Sequence, residues 1–150
     1  MPIHFESFLR LLAAFVVGAL IGWDRETRGK PAGFRTLTLV SLASAFFVNV
    51  VVEASLAYGQ EIDVARAMAG IAQGVGFLGA GAILQSKGEV RWLTTAASLW
   101  AAAALGFACG VGQYVLAAFG TVLVMIILRV MPAMEEVIQA RSKNPEDDGH

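Results

Sequence analysis

Several residue types that commonly form crosslinks or metal sites are scarce in this 150-residue sequence. It has one cysteine, Cys109, so no disulfide can form within the chain. Its two histidines, His4 and His150, lie at opposite ends of the sequence and do not suggest a shared metal cluster. The net charge is −1, which gives no support to a strongly basic, nucleic-acid-binding surface. We therefore expect no metal site and no nucleic-acid partner.

Charged side chains are also scarce, at 15% of the residues. Soluble domains usually have about 25%. Hydrophobic residues make up 57% of the chain. A single core in a domain of this size cannot bury so much apolar surface, whereas a lipid bilayer is itself an apolar solvent. The composition therefore predicts an integral membrane protein that interacts with the lipid bilayer.

Five apolar stretches are long enough to cross, or nearly cross, about 30 Å of hydrocarbon. They cover approximately residues 5–23, 36–58, 64–84, 93–108 and 112–131. Helices satisfy their own backbone hydrogen bonds in lipid, whereas open strands do not. The sequence therefore predicts an all-α transmembrane bundle of about five helices in residues 1–134, with the fifth helix ending before Pro132. Residues 135–150 are expected to form a short, polar, disordered tail.

Basic residues are distributed unevenly between the two ends of the predicted helices. Arg10 and Arg66 fall on one side. The other Lys and Arg residues of the chain fall on the opposite side, namely Arg25, Arg28, Lys30, Arg35, Lys87, Arg91, Arg129, Arg141 and Lys143. Because basic residues are enriched in cytoplasmic loops, this bias predicts an outside N-terminus and a cytoplasmic C-terminus. The first segment precedes most of its basic residues, so we expect a retained helix rather than a cleaved signal.

The stretch "GVGFLGAG", from Gly74 to Gly81, has the spacing of a dinucleotide-binding fingerprint. That motif requires a preceding buried strand, whereas alanine- and glycine-rich residues precede this one. We therefore expect no nucleotide cofactor. On a helix, the small residues of this segment fall on two opposite faces, which suits close packing against two neighbours in lipid. The sequence predicts a central third helix that packs through Gly70, Gly74, Gly76, Gly79 and Gly81.

The remaining faces of this third helix carry bulky and polar residues. The bulky stripe from Met68 to Leu78 is expected to meet lipid, while Arg66 and Gln73 turn inward. A helix break at the glycines is an open alternative, because discontinuous helices present backbone groups to ions in transporters.

Polar residues near membrane segments are functional candidates, because ionisable groups are costly to place there. The threonine hydroxyls at the start of the fourth segment can bond to another helix. No nucleophile paired with a base is visible, so we expect no enzymatic activity. The candidates are Asp24, Arg25, Glu26, Arg35, Arg66, Gln73, Phe77, Arg91, Thr94, Thr95 and Trp100.

Three stretches of the sequence together resemble the MgtC/SapB family of bacterial inner-membrane proteins. They are "GALIGWDRETRGKPAGFRTLTLV", "GVGFLGAGAIL" and "VRWLTTAASLWAAAALGFACGVGQY". The resemblance implies a polytopic membrane domain linked to magnesium homeostasis and growth in low magnesium. It also implies links to virulence and to restraint of the rotary ATP synthase. Many relatives carry a soluble C-terminal domain, and we expect only the membrane domain here.

By position, the resemblance marks charged, glycine and aromatic residues in all three stretches. This chain departs from the family at three positions. The family more often has Glu where this chain has Asp24, commonly has Gly in place of Trp92 and often has Pro in place of Val64. We expect the inner charges Asp24, Arg25, Arg35 and Arg91 to form a network that joins the first and third loops. The marked residues are Asp24, Arg25, Arg35, Gly74, Gly76, Phe77, Gly79, Gly81, Arg91, Thr94, Thr95 and Trp100.

Two functional hypotheses follow. The first is a regulatory protein that binds another inner-membrane complex, such as the ATP synthase, and the small-residue faces favour it. The second is a small transporter or channel for Mg²⁺ or another cation. An inward Gln73 and Arg66, together with a break in the third helix, favour this second hypothesis. A homo-oligomer is compatible with both.

Overall fold

The computed structural model describes residues 2–59, 63–84 and 92–142, and every regular element within these ranges is an α-helix. The helices are α1 (Pro2–Thr27), α2 (Phe34–Tyr58), α3 (Val64–Leu84), α4 (Leu93–Gly110) and α5 (Tyr114–Ser142). The predicted all-α fold with five helices is confirmed.

Four of these helices contain segments long and apolar enough to cross a membrane. The segments are Phe5–Thr27, Phe34–Tyr58, Leu93–Gly110 and Tyr114–Pro132. The chain is therefore a membrane protein of the helical class. Helix α3 is not in this group, and Arg66 and Gln73 interrupt its apolar sequence.

Contacts at the two ends of the bundle show that α3 nevertheless runs from one end to the other. Near the start of α1, Ser7 donates a hydrogen bond to Glu53, which lies near the end of α2. Near the end of α1, Arg25 reaches Thr95 at the start of α4. Helix α2 finishes at the first of these ends and α4 begins at the second. Because α3 lies between them in the chain, it runs from one end of the bundle to the other. Which end faces the cytoplasm stays a prediction.

Helix α2 packs extensively against both α1 and α4, and α4 in turn contacts all four other helices. Two glycine pairs with a four-residue spacing permit this approach: Gly18 and Gly22 in α1, and Gly106 and Gly110 in α4. A Cβ atom at Gly18 would lie 2.8 Å from the Cβ of Ser41, and one at Gly106 would lie 2.7 Å from its Cα. Such small residues allow helix backbones to meet in lipid.

Ser41 of α2 lies where these three helices meet and is completely buried. Its hydroxyl donates a 2.8 Å hydrogen bond to the carbonyl of Ala14 in α1. A bond of this kind satisfies a polar group that lipid cannot. The apolar core surrounds this point and includes Ile21, Leu37, Ala45, Leu99, Ala102 and Cys109.

The prediction of a central α3 is wrong, because α3 lies at the edge of the bundle. It packs mainly on α4 and makes fewer contacts with α2. Of its glycines, Gly79 approaches α4, where an added Cβ would lie 3.5 Å from the Cβ of Ala96. A Cβ at any of the other four would meet no atom within 4 Å; these are Gly70, Gly74, Gly76 and Gly81.

The inward and outward faces of α3 also differ from the prediction, although Met68 and Leu78 of the bulky stripe are exposed as expected. Val75 of the bulky stripe is buried, and Ile71 is half-buried, whereas Arg66 and Gln73 are exposed. The reason is that α4 presents many alanines, whose small side chains leave room for bulky residues from α3. Helix α3 is continuous from Val64 to Leu84, so the alternative of a break at its glycines is wrong.

Helix α5 also differs from the prediction, since it continues through Pro132 to Ser142. Proline removes one backbone donor and crowds the preceding turn, which usually ends or kinks a helix. Here the ring is exposed, and the following residues include the strong helix formers alanine, methionine and glutamate. The helix therefore extends beyond the predicted start of the tail, and residues 143–150 lie outside the described residues.

Adding one methyl group at Gly106 should disrupt the meeting of α4 and α2. We expect Gly106→Ala to lower the free energy of unfolding by about 1–3 kcal/mol, because the new Cβ overlaps the backbone of Ser41. The matched control is Gly74→Ala, whose Cβ meets nothing. It should be neutral or stabilising by up to about 1 kcal/mol, because alanine favours helices. Unfolding in mixed detergent micelles measures both, and equal effects would contradict this packing.

Candidate functional site

Two adjacent charged residues near the end of α1 are almost completely buried. Asp24 is 3% exposed and Arg25 is 4% exposed. Consecutive residues on a helix point about 100° apart, so the two side chains contact different neighbours. Asp24 pairs with α5, and Arg25 bonds to α4. The end of α1 is thereby tied to two other helices.

Asp24 accepts contacts from two arginines on the same carboxylate oxygen. The Nε atom of Arg129 in α5 lies 2.8 Å from Oδ1, and the Nε atom of Arg28 lies 3.4 Å from it. An unpaired buried carboxylate costs several kcal/mol, so these cations offset the cost of burying Asp24. We call Asp24, Arg25, Arg28 and Arg129 the α1-end cluster.

Arg25 makes a different kind of contact. Its Nη2 atom donates a 2.8 Å hydrogen bond to the hydroxyl oxygen of Thr95, a buried residue of α4. Among the described residues, the buried Nε atom of Arg25 and the buried Oδ2 atom of Asp24 have no hydrogen-bond partner. The buried part of the cluster therefore contains an unpaired donor and an unpaired acceptor.

Glu26 has a structural position beside this cluster. Its Oε2 atom accepts a 2.7 Å hydrogen bond from the backbone N–H of Phe34, in the first turn of α2. The first N–H groups of a helix lack partners within the helix, so this carboxylate satisfies one of them. Gly33 lies directly against it, where a Cβ would be 2.8 Å from Oε2. Glu26 thus fixes the turn between α1 and α2.

The structure brings together only three of the predicted candidates, Asp24, Arg25 and Thr95. Arg35 is exposed and makes no ion pair with any described residue, so its predicted place in the network is wrong. Arg91 lies outside the described residues. Five other candidates are exposed and away from the cluster's hydrogen bonds: Arg66, Gln73, Phe77, Thr94 and Trp100.

Arg28 and Arg129 are members of the site that were not predicted from the sequence. Arg28 follows Asp24 by four residues, a spacing at which opposite charges on a helix pair, and this signal was available. Arg129 is separated from Asp24 by 105 positions. The charge bias placed both at the same end of the bundle, but their contact depends on how α5 packs.

A second set of charges lies at the opposite end of the bundle. Glu6 and Arg10 form an ion pair, and Arg10 also donates to the carbonyl of Gly110 at 3.3 Å. On α3, Arg66 pairs with Asp63 at 3.2 Å. In the part of the chain that the structure describes, no three His, Cys, Asp or Glu side chains are grouped to hold a metal.

Comparison with known proteins identifies the family of the chain. A model of the MgtC family matches residues 11–137. The chain belongs to the MgtC family. No solved structure matches this MgtC-family chain.

Named relatives extend the comparison. Protein SrpB of Synechococcus elongatus is 40% identical over 142 residues, which cover 88% of this MgtC-family chain and 78% of that protein. Protein MgtC of Brucella abortus is 41% identical over 129 residues, or 86% of this chain and 52% of that protein. The Escherichia coli protein named putative magnesium transporter YhiD is 37% identical over 134 residues, which cover 83% of this chain and 60% of that protein. The chain thus spans little more than half the length of the latter two.

Trp92, which departs from the residue expected from the family resemblance, has an unusual backbone conformation. It precedes α4 with φ of 69° and ψ of 17°, and no other non-glycine residue described has a positive φ. Glycine, the residue that the family resemblance leads us to expect here, adopts this left-handed conformation without a steric cost. Tryptophan pays that cost, and the residue lies three positions before Thr95, the partner of Arg25.

Removing the hydroxyl of Thr95 should leave the buried Arg25 without its acceptor. We expect Thr95→Val to destabilise the fold by about 1.5–3 kcal/mol, since the guanidinium stays buried while losing a hydrogen bond. The control Thr94→Val changes an exposed neighbour and should stay within about 0.5 kcal/mol. Detergent unfolding of both variants is the measurement. An equal response would show that the Arg25–Thr95 bond contributes nothing.

Two substitutions at Trp92 separate backbone strain from loss of the ring. Both Trp92→Gly and Trp92→Ala remove the indole, but only glycine relaxes the left-handed backbone. We expect the glycine variant to be the more stable by roughly 0.5–1 kcal/mol, after allowing for its greater freedom in the unfolded chain. Thermal unfolding in one detergent compares the pair, and a more stable alanine variant would contradict the strained φ.

Proposed function

We propose that this MgtC-family chain is a non-enzymatic protein of the bacterial inner membrane that binds and regulates another membrane complex. The rotary ATP synthase is the partner that the family resemblance suggests. The name of the Escherichia coli relative, putative magnesium transporter YhiD, supports a role in magnesium homeostasis. In this proposal the chain serves adaptation to low magnesium and, in a pathogen, virulence.

The observation that carries the proposal is an unused glycine pair on α3. The pairs Gly18/Gly22 and Gly106/Gly110 have a four-residue spacing, and both meet α2 directly. Gly70 and Gly74 have the same spacing, but a Cβ at either would meet nothing. Since such pairs let helix backbones approach in lipid, this third pair is suited to a helix from another chain.

Gly70 and Gly74 lie in an open groove of about 970 Å³ between α2 and α3. The α2 side supplies large apolar residues, including Phe46, Phe47 and Val50. The α3 side supplies Gly70 and Gly74 together with bulkier residues such as Ile71 and Leu78, so its wall is flat at the two glycines. An apolar transmembrane helix can pack its backbone on the flat wall and its side chains against the bulky wall. We propose such a helix of the partner complex as the occupant.

Transport of Mg²⁺ or another cation is the second candidate function. The name of the Escherichia coli relative favours it. So do two buried oxygens of α2, Thr38 Oγ1 and Asn49 Oδ1, which have no hydrogen-bond partner among the described residues. The features that favoured transport in the sequence do not support it here, because Gln73 and Arg66 are exposed and α3 is continuous.

Photo-crosslinking at two matched phenylalanines tests the groove. Phe47 borders the groove and Phe119 lies on α5, and each is 62% exposed. A benzoylphenylalanine at position 47 should crosslink a transmembrane segment of the ATP synthase in native membranes, whereas one at position 119 should not. Gly74→Leu should reduce the crosslink about tenfold or more by blocking the flat wall. Gly81→Leu, outside the groove lining, should leave it unchanged.

Mass spectrometry of the crosslinked peptides identifies the occupant. Crosslinks from position 47 to lipid alone, or to a second copy of this chain, would contradict docking of the partner helix. Purified chain in liposomes provides the functional comparison. Slower ATP hydrolysis by co-reconstituted ATP synthase supports regulation. Protein-dependent Mg²⁺ uptake with no effect on hydrolysis supports transport and counts against the regulatory proposal.

A further inference from the structure

The α1-end cluster contains more positive than negative charge. Asp24 is its one carboxylate, and Arg25, Arg28 and Arg129 are its three cations. Arg28 and Arg129 both direct Nε at the same oxygen of Asp24. Their guanidinium groups are therefore held close together although they repel each other. Because one carboxylate cannot neutralise three cations, an anion would be attracted to this place.

The two outer arginines of the cluster are accessible. The side chain of Arg28 is 39% exposed and that of Arg129 is 58% exposed. Each uses Nε for Asp24, and neither donates from its Nη atoms to any described residue. A guanidinium can bind two oxygens of one phosphate or carboxylate in parallel. The unused Nη atoms are thus available for an external anion.

The position of these arginines along the helices matches the membrane boundary. The apolar segment of α1 ends at Thr27, and that of α5 ends at Pro132. Trp23, exposed by 66%, lies one turn before Thr27 and stacks edge-on against Phe34. Tryptophan is enriched at the level of lipid headgroups. Arg28 follows the end of the α1 segment by one residue and Arg129 precedes the end of the α5 segment by three, so both lie near the boundary of the apolar region.

We propose that Arg28 and Arg129, held side by side by Asp24, bind a phosphate-bearing anion, namely the headgroup of an anionic phospholipid. Basic pockets at helix ends are known to bind such headgroups. The excess of arginines favours an anion over a cation, even though Asp24 has an unpartnered oxygen. In this site Asp24 is a positioning residue that does not touch the ligand. The proposal is independent of the groove between α2 and α3.

A specific site and a diffuse basic surface predict opposite effects of Asp24→Asn. Removing the carboxylate raises the net positive charge, so a diffuse surface should bind anionic lipid as well or better. In a specific site the same change releases the two arginines from their shared anchor. We therefore expect Asp24→Asn to weaken lipid binding although it makes this end more basic.

Lys30 is the matched control for Arg28. Both are exposed basic residues at the same end of the bundle, but Lys30 makes no ion pair with Asp24. We expect Arg28→Gln to weaken binding about tenfold, since it removes charge-assisted hydrogen bonds. Lys30→Gln should change it less than about twofold, as screened surface charges usually do. Arg66→Gln is a second control, because Arg66 lies near the start of α3, at the end of the bundle opposite the α1-end cluster.

Native mass spectrometry of the full chain measures the binding. The detergent-purified protein is titrated with phosphatidylglycerol against a phosphatidylcholine background, and retained lipid is counted for each variant. Inorganic phosphate alone is tested in parallel. If phosphate binds with the same dependence on the variants and yet displaces no phosphatidylglycerol, that result identifies the lipid headgroup as the preferred source of the anion. Complete displacement of the lipid by millimolar phosphate identifies the free anion instead.

Circular dichroism confirms that each variant is folded before its binding is compared. If Asp24→Asn fails to fold, the comparison of Arg28→Gln with Lys30→Gln decides the result. Equal losses in those two variants overturn the proposal, as does a folded Asp24→Asn variant with unchanged or tighter binding.

Discussion

The close contact of α1 and α4 with the backbone of α2 is the constraint on which the rest of the structure depends. In lipid there is little hydrophobic driving force between helices, so close packing and hydrogen bonds must hold them together. Glycines supply the approach, and Ser41 supplies a hydrogen bond at the point where the three helices meet. This crossing sets the directions of the helices and therefore decides which side chains meet at the ends of the bundle.

The α1-end cluster is a consequence of that arrangement. Asp24 and Arg25 are adjacent in sequence, yet one is bonded to α5 and the other to α4. Two buried charges on one helix would be costly if the neighbouring helices did not supply partners. The cluster also leaves an excess of cations near the membrane boundary. A packing contact between helices and a binding site for an anion are therefore formed by the same residues.

Helix α3 shows that one sequence pattern has different outcomes in different places. Glycines four residues apart occur in α1, α3 and α4, and only those of α1 and α4 face a helix of the same chain. Ile71 and Val75 of α3 occupy its inner side instead, against the alanines of α4. This leaves Gly70 and Gly74 beside a groove. For this reason we propose that the Gly70/Gly74 pair packs against a partner helix and not in the core of this chain.

The sequence alone determined the helical class, the membrane environment and the approximate bounds of the helices. For α3, the predicted first and last residues agree with the structure. These properties are local, because apolar length and backbone hydrogen bonding depend on neighbouring residues in the chain. Only the tertiary structure decided which glycines are packed, which side of α3 faces inward and that Arg129 pairs with Asp24. Each of these depends on the surface that another helix presents. Hydrophobic periodicity does not encode that surface, since in lipid a bulky stripe suits a neighbouring helix as well as the bilayer.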